Sequence, residues 1–222
     1  MNEKDIITLK NSMLFKDMND KEITEAVNSL SVTKKFYKKD ELILMAGSTT
    51  NFLGMVLSGS LTIEINDVWG NRTILSYVEK GEFFAEAFAI LQDELVSVDV
   101  NANEKSEIAL FDMSMLHILK QTYSEWLLKL LNNLLMISVQ KNMMLSQRSI
   151  HTSSKSARGR IMAFLNNTAL KTKTTEFTIP FNRQQMADYL NLDRSALSKE
   201  LGKMRDDGMI KFRKNYFKII KQ

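Results

Sequence analysis

The segment Pro180–Arg205, PFNRQQMADYLNLDRSALSKELGKMR, constrains the fold most: its residue order predicts two short helices around a tight turn. Pro180, the sole proline, ends an extended segment, and Asn182 is then placed to cap the first helix. Gln185 stands three residues on, the spacing of a capping box. Met186, Ala187 and Leu190 form the apolar stripe of that helix. Asn191 follows, a residue that tolerates the left-handed backbone of a sharp corner. Asp193 is placed to cap the second helix, whose Leu197, Leu201 and Met204 recur on one face and turn inward. Arg194, Ser195, Ser198, Lys199, Gly202 and Arg205 are left on the outer face.

Ala187, Asn191 and Leu197 have the spacing of a helix-turn-helix, in which a small residue lets two helices approach and an apolar residue anchors the second. A plain helical hairpin in a core would share that spacing. The outer face separates the two readings. It combines guanidinium, ammonium and hydroxyl groups at the amino end of the helix, where side chains reach base edges in a major groove.

Charge supports the nucleic-acid reading. Residues 1–148 hold 15 Lys/Arg and 20 Asp/Glu, a net of −5, whereas residues 149–222 hold 15 and 6, a net of +9. A basic unit behind a mildly acidic one suits a DNA-binding domain fused to a control domain. A solvated basic tail would carry the same charge, but Ile161, Phe164, Leu190, Leu197 and Phe217 interleave the basic residues, so this part should fold. The 222 residues leave room for one large domain or two modest ones. No apolar run is long enough to span a membrane, and the start, MNEKDIIT, has no signal-peptide core, so a soluble, cytoplasmic protein is expected. Zero cysteine excludes disulfides, iron–sulfur clusters and thiolate zinc sites. The two histidines, His117 and His151, are too few for a histidine metal cage and read as surface residues.

Residues 4–30 read as helical. From Val32 the pattern changes to short alternating segments: 34–37, 42–45, 54–57, 61–65, 72–78, 97–100 and 108–111. Gly59, Gly70 and Gly81 punctuate them at even intervals. Such strands argue for a sandwich or jelly roll. Residues 66–71 read as a hairpin loop, and Glu82–Leu91 as a short helix interrupting the roll. A long helix without glycine or proline follows from about Ser114. It carries one seam of Leu127, Leu130, Leu134 and Ile137 and another of Leu128, Leu131 and Leu135. A helix that wide must bury two faces, one on the roll and one on a second subunit, unless it is packed inside a monomer. Polar Ser138, Lys141 and Asn142 interrupt the seams. The serine-rich stretch after Ile150 is a linker. Beyond it lie a helix from Ala157, a strand at 176–181, the two short helices, and a basic hairpin of 209–213 and 216–220 around Lys214-Asn215. Helix, strand, helix pair and hairpin make a winged helix.

This order of parts resembles the Crp/Fnr family of bacterial transcription regulators (catabolite activator and fumarate–nitrate regulator), over nearly the whole chain from Ser31 to Ile220. The carriers are Gly47, the Ser58-Gly59 turn, Gly81-Glu-Phe-Phe-Ala-Glu86, and above all Asn182–Lys199. The resemblance implies an α+β protein. A double-stranded β-helix (jelly roll, cyclic-nucleotide-binding-like) would fill residues 1–113, a dimerisation helix 114–149, a hinge linker 150–156, and a winged helix-turn-helix 157–222. It also implies roles. Arg194, Ser195 and Lys199 would read bases; Arg183, with Ser198 and Lys214, would contact phosphates and set register. The expected partners are a palindromic double-stranded operator and a second copy of the chain, with RNA polymerase admitted by the resemblance.

In cyclic-nucleotide-binding members a glutamate holds the ribose, and ten positions on an arginine-serine pair holds the phosphate; here Glu86 fits, but the pair reads Val96-Ser97. A valine cannot neutralise a buried anion. Cyclic AMP is therefore not the expected effector. No cysteines are available for an iron–sulfur oxygen sensor, and no histidine lies within the roll for haem. A small organic effector, reorienting the basic domains about the linker, or none at all, remains. Phe83, Phe84, Phe88 and Trp126 would line its pocket or simply fill the core. A cyclic-nucleotide module with another output is the alternative that Val96 and the basic carboxy-terminal part oppose. No nucleophile–base pair, metal cluster or phosphate loop suggests an enzyme.

Overall fold

The computed structural model describes residues 3–66, 72–91, 93–116 and 124–220. They form two compact units, one ending at Lys141 and one beginning at Asn142.

The N-terminal unit opens with α1 (Glu3–Lys10), a 3₁₀ turn (Met13–Phe15) and α2 (Asp20–Ser29). The expected continuous helix over 4–30 is thus broken. Ser12 donates its hydroxyl to the Leu9 carbonyl at 2.7 Å, and Asp17 takes a left-handed φ of 61°. Asn19 then restarts the helix through a capping box with Glu22.

Eight strands follow: β1 (Thr33–Tyr37), β2 (Leu42–Leu44), β3 (Phe52–Ser58), β4 (Leu61–Asn66), β5 (Arg72–Val78), β6 (Phe83–Phe84), β7 (Asp99–Ala102) and β8 (Ser106–Asp112). They pair antiparallel as two four-stranded sheets, β1-β8-β3-β6 and β2-β7-β4-β5. Val56, Leu61, Val78, Phe84, Val100, Ala102, Ile108 and Leu110 close one core. The alternate residues of β3 and β8, namely Leu53, Met55, Leu57, Ala109 and Phe111, join a second core with Leu9, Leu14, Phe15 and Leu30. Period-two alternation explains both, because successive side chains leave opposite faces of a strand. The hairpin loop expected at 66–71 falls, for 67–71, outside the described residues; its flanks Asn66 and Arg72 are paired.

The helix expected over 82–91 begins only at Glu86, as α3 (Glu86–Leu91). Phe83 and Phe84 instead pair with Met55 and Gly54. Positive φ at Gly81 (87°) and Ala85 (62°) brackets this short strand. Gly54 is required here, since a Cβ would stand 2.2 Å from the Phe84 ring. Phe84 fills the first core, while Phe83 and Trp126 fill the second.

The long helix, α4, spans Glu125–Thr152 rather than 114–149. Ser114 sits in a turn, its N–H and hydroxyl both donating to Asp112 Oδ1 at 3.0 and 2.6 Å. At the other end Thr152 donates its hydroxyl to the Arg148 carbonyl at 2.8 Å and the helix continues through Ile150-His151-Thr152, shortening the expected linker. Leu127, Leu130, Leu134 and Ile137 lie in the second core, as the first seam required. Leu128, Leu131 and Leu135, the second seam, are exposed. His117 lies outside the described residues.

The C-terminal unit contains α5 (Ala157–Thr172), β9 (Glu176–Thr178), α6 (Arg183–Tyr189), α7 (Arg194–Asp206), β10 (Ile210–Arg213) and β11 (Tyr216–Ile219). Ser156 caps α5 by accepting from the Gly159 N–H at 3.0 Å. The three strands pair antiparallel in the order β10-β11-β9. One core holds the unit together, built from Ile161, Phe164 and Leu165 of α5, the inner faces of α6 and α7, and Phe177, Ile210, Phe217 and Ile219 of the sheet.

Candidate nucleic-acid interface

The helix pair forms as its residue types require. Asn182 Oδ1 accepts from the Gln185 N–H at 2.9 Å, and Gln185 Oε1 accepts from the Asn182 N–H at 2.9 Å. Asn191 makes the corner with a φ of 52°. Ala187 and Leu197 are fully buried, with Met186, Leu190, Leu201 and Met204 beside them. Asp193 stands at the N-cap of α7 but, contrary to expectation, its side chain makes no capping hydrogen bond.

Burial of that face leaves the other to solvent. Arg194, Ser195, Ser198 and Lys199 are all exposed at the start of α7. None of the four side chains makes a hydrogen bond or ion pair within the described protein. Two cations and two hydroxyls therefore stand free on one helical face. Further along, Arg205 pairs with Asp206 at 2.9 Å, and Glu200 is taken by Arg158 at 2.6 Å. The free polar groups are thus concentrated in the first turns.

Arg183 and Lys214 meet at another edge of the unit. The Arg183 Nη2 donates to the Lys214 carbonyl at 3.1 Å, and its guanidinium lies 5.4 Å from the Phe212 ring centroid and 5.8 Å from that of Phe217. Burial lowers the Arg183 pKa from its ordinary value, yet a guanidinium stays charged. Stacking on aromatic faces and a carbonyl bond fix the first turn of α6 to the hairpin. Lys214 turns the hairpin with a left-handed φ of 55°, its side chain exposed. A cleft of 510 Å³ opens between Pro180, Asn182 and Arg183 on one side and Lys214 and Asn215 on the other. Arg183 is therefore anchored to the wing, whereas sequence reasoning gave it only a phosphate.

Three residues near the turn escaped sequence reasoning. Arg148 donates from Nε to the Tyr189 carbonyl at 3.0 Å and from Nη2 to that of Asp188 at 2.8 Å. Arg160 donates from Nη1 to the carbonyls of Leu190 at 3.3 Å and Asn191 at 2.7 Å. His151, read as a surface residue, is 3% exposed: Nδ1 lies 3.0 Å from the Tyr189 hydroxyl and Nε2 2.7 Å from the Asn167 amide. Burial, with Lys171 nearby, lowers its pKa below 6.5. Their only sequence signal was cations beside a helix pair that exposes carbonyls at its corner.

In the N-terminal unit, Val96 is buried, its N–H donating to the Ser48 carbonyl at 2.8 Å and its carbonyl accepting from Gly47 at 2.7 Å. Its side chain brings neither charge nor donor. Glu86 is paired: Lys141 donates to its carboxylate at 2.8 Å and to the Phe83 carbonyl at 2.7 Å. Among the described residues no group of three or more His, Cys, Asp or Glu could hold a metal, and no helix is long and apolar enough to cross a membrane.

A β-roll domain, a long helix and a winged helix with an exposed cationic face on its second helix define a class, the DNA-binding transcription regulators with a sensory domain. Comparison with known proteins agrees. Residues 34–123 match the cyclic nucleotide-binding domain and residues 159–221 the Crp-like helix-turn-helix domain. The chain is 25% identical over 181 residues to the cAMP-activated global transcriptional regulator CRP of Pasteurella multocida, covering 78% of this chain and 83% of that one. Its fold is similar to the c-di-GMP responsive global regulator CLP of Xanthomonas campestris, with a TM-score of 0.65 and 17% identity over 92% of this chain and 100% of that one. It is also similar to FixK2 of Bradyrhizobium japonicum, with a TM-score of 0.58 and 18% identity over 85% and 92% of the two chains. The chain belongs to the Crp/Fnr family. It is a DNA-binding regulator of transcription and not an enzyme.

Proposed function

We propose that the protein is a cytoplasmic, homodimeric regulator that reads a palindromic operator and answers to a small organic effector other than a cyclic nucleotide. Arg194, Ser195 and Lys199 read bases, while Arg183, Ser198 and Lys214 fix the protein on the phosphate backbone. The observation that carries this reading is the free face of α7. Arginine and lysine offer donors to the guanine acceptors of the major groove, and serine adapts to more than one base. Phosphate contacts position a protein, whereas base contacts give it sequence preference.

The exposed Leu128, Leu131, Leu135 and Val139 support the dimer. They recur at helical spacing on α4, and covering them with a second copy would stabilise by about 2 kcal/mol per fully buried leucine. Two-fold symmetry then sets half-sites about one helical turn apart. RNA polymerase is a further partner in this reading.

Against a cyclic nucleotide stand the apolar Val96 and the pairing of Glu86 with Lys141. Without cysteine, an iron–sulfur cluster has no thiolate ligands. Haem is left out of this reading as well; of the two histidines, His151 is buried and held by Asn167 and Tyr189. The Glu86–Lys141 pair also favours a second reading, an effector-independent regulator whose cassette is closed by its own ion pair.

Two measurements test the function. Selection from a random DNA pool should return a palindrome; recovery of an asymmetric site would contradict the dimer. Cyclic nucleotides should leave the melting temperature unchanged, since a ligand that binds the folded state raises it. A rise with cyclic AMP or cyclic GMP would overturn the effector reading and leave the DNA reading intact.

A further inference from the structure

The end of α4 is held by the C-terminal unit through three side chains. Lys171 donates to Gln147 Oε1 at 2.5 Å. Arg148 takes the carbonyls of Asp188 and Tyr189, its guanidinium 5.8 Å from the Tyr189 ring centroid. His151 is enclosed by Tyr189, Asn167 and the edge of Phe164. Residues 142–146, one turn earlier, are all exposed, and their side chains make no hydrogen bond or ion pair with the described residues. The linker itself is tied, because Arg160 Nε donates to the Ser154 carbonyl at 2.8 Å.

Arg148 takes the carbonyls of Asp188 and Tyr189 and Arg160 that of Leu190, all at the C-terminal end of α6, where a helix runs out of intrahelical donors and its dipole also favours a cation; Arg160 adds the carbonyl of Asn191 just beyond. Together they run up to and include Asn191, the left-handed corner from which α7 departs. The two arginines therefore hold the residues that set the angle of the recognition helix. Arg160 does so from α5, inside the winged helix; Arg148 does so from α4.

We propose that Arg148 is a positioning residue for DNA recognition: it latches residues 147–152 to the winged helix so that both move as one body. The pivot then lies in the exposed stretch 142–146 of α4 and not in the serine-rich linker. The presentation angle of α7 within a dimer is set through Arg148. This consequence rests on the dimeric, palindrome-reading function proposed above.

The test uses the full-length chain and palindromic DNAs with identical half-sites, either one helical turn apart or displaced by one or two base pairs. The wild type should discriminate between the spacings by about tenfold or more, a typical coupling between linked sites. Arg148→Ala should reduce that discrimination to about threefold while its sequence preference on an isolated half-site is kept. Arg148→Lys should fall between, because an ammonium lacks the fork that meets two carbonyls. Inserting two glycines after Ser153 should leave the spacing preference intact. The proposal is overturned if the insertion relaxes spacing and Arg148→Ala does not.

A wild type indifferent to spacing would count against the dimer, and hydrogen exchange then decides on the latch. Amides of 147–152 should be protected like those of α5, with 142–146 exchanging faster. The reverse order overturns the latch whatever the oligomeric state.

Discussion

The ammonium of Lys141, on the long helix, lies 2.8 Å from the Glu86 carboxylate and 2.7 Å from the Phe83 carbonyl oxygen. It closes the turn that follows Gly81 with a cation supplied by the protein. The Glu86 side chain is only 13% exposed, so Lys141 supplies a hydrogen-bond donor to a largely buried carboxylate. Lys141→Met should cost about 1–3 kcal/mol, the penalty of leaving a largely buried acceptor unpaired. Glu86→Gln combined with Lys141→Met should recover part of that loss. Urea denaturation of the single and double variants measures both; equal stability of Lys141→Met and wild type would show that the pair contributes nothing.

The reading face and the wing should fail differently. Arg194→Ala should relax preference at one position per half-site by about 1–3 kcal/mol, because one set of base-edge donors is lost. Lys214→Ala should weaken every sequence alike and lower the salt slope by about one. Titrations of cognate and scrambled DNA at several salt concentrations separate the two. Uniform weakening by Arg194→Ala would remove it from base reading.

The exposed seam of α4 predicts the assembly. Leu131→Glu with Leu135→Glu places two charges on residues 37% and 60% exposed in the single chain, so the subunit should still fold. Sedimentation should then find a monomer where the wild type is a dimer, with affinity for a single half-site retained. A variant that remains dimeric would move the interface elsewhere.

His151 gives the C-terminal unit a pH dependence. Neutral imidazole satisfies both neighbours, one ring nitrogen accepting from the Asn167 amide and the other donating to the Tyr189 hydroxyl. Lys171 and Arg148 are the cations nearby, and burial with Lys171 holds the folded pKa below 6.5. The unfolded chain therefore binds the proton more readily, so this stability is present above about pH 6.5 and is lost as pH falls through that value. The loss should approach, at most, about 1.4 kcal/mol per pH unit. Denaturation midpoints between pH 8 and 5.5 should show it in the wild type and a flatter profile in His151→Gln. Identical profiles would leave the loss to other groups.

Where local order and periodicity decide the outcome, the chain was legible in advance. The capping box of Asn182 and Gln185, the corner at Asn191 and the inward row Leu197, Leu201 and Met204 each involve residues within two turns of one another. Alternation likewise assigned most strands, and helical spacing split α4 into a buried and an exposed seam. The cationic outer face of α7 follows from the same periodicity, since burying one side of the helix commits the other to solvent.

What only the tertiary structure decided are the contacts between residues far apart in the chain. Phe83-Phe84 has a helix-compatible pattern, yet Gly54 offers the gap into which Phe84 packs, and a strand forms. His151 lies in a polar, serine-rich stretch, yet Thr152 prolongs the helix and delivers the imidazole to Tyr189, some forty residues on. Arg183 stands out in the sequence only as a cation opening a helix; the hairpin alone brings Phe212, Phe217 and the Lys214 carbonyl to it. Arg148 and Arg160 carry no motif at all. Their roles exist only because the end of α6 exposes carbonyls, and those carbonyls are filled by whichever cations the fold brings within reach.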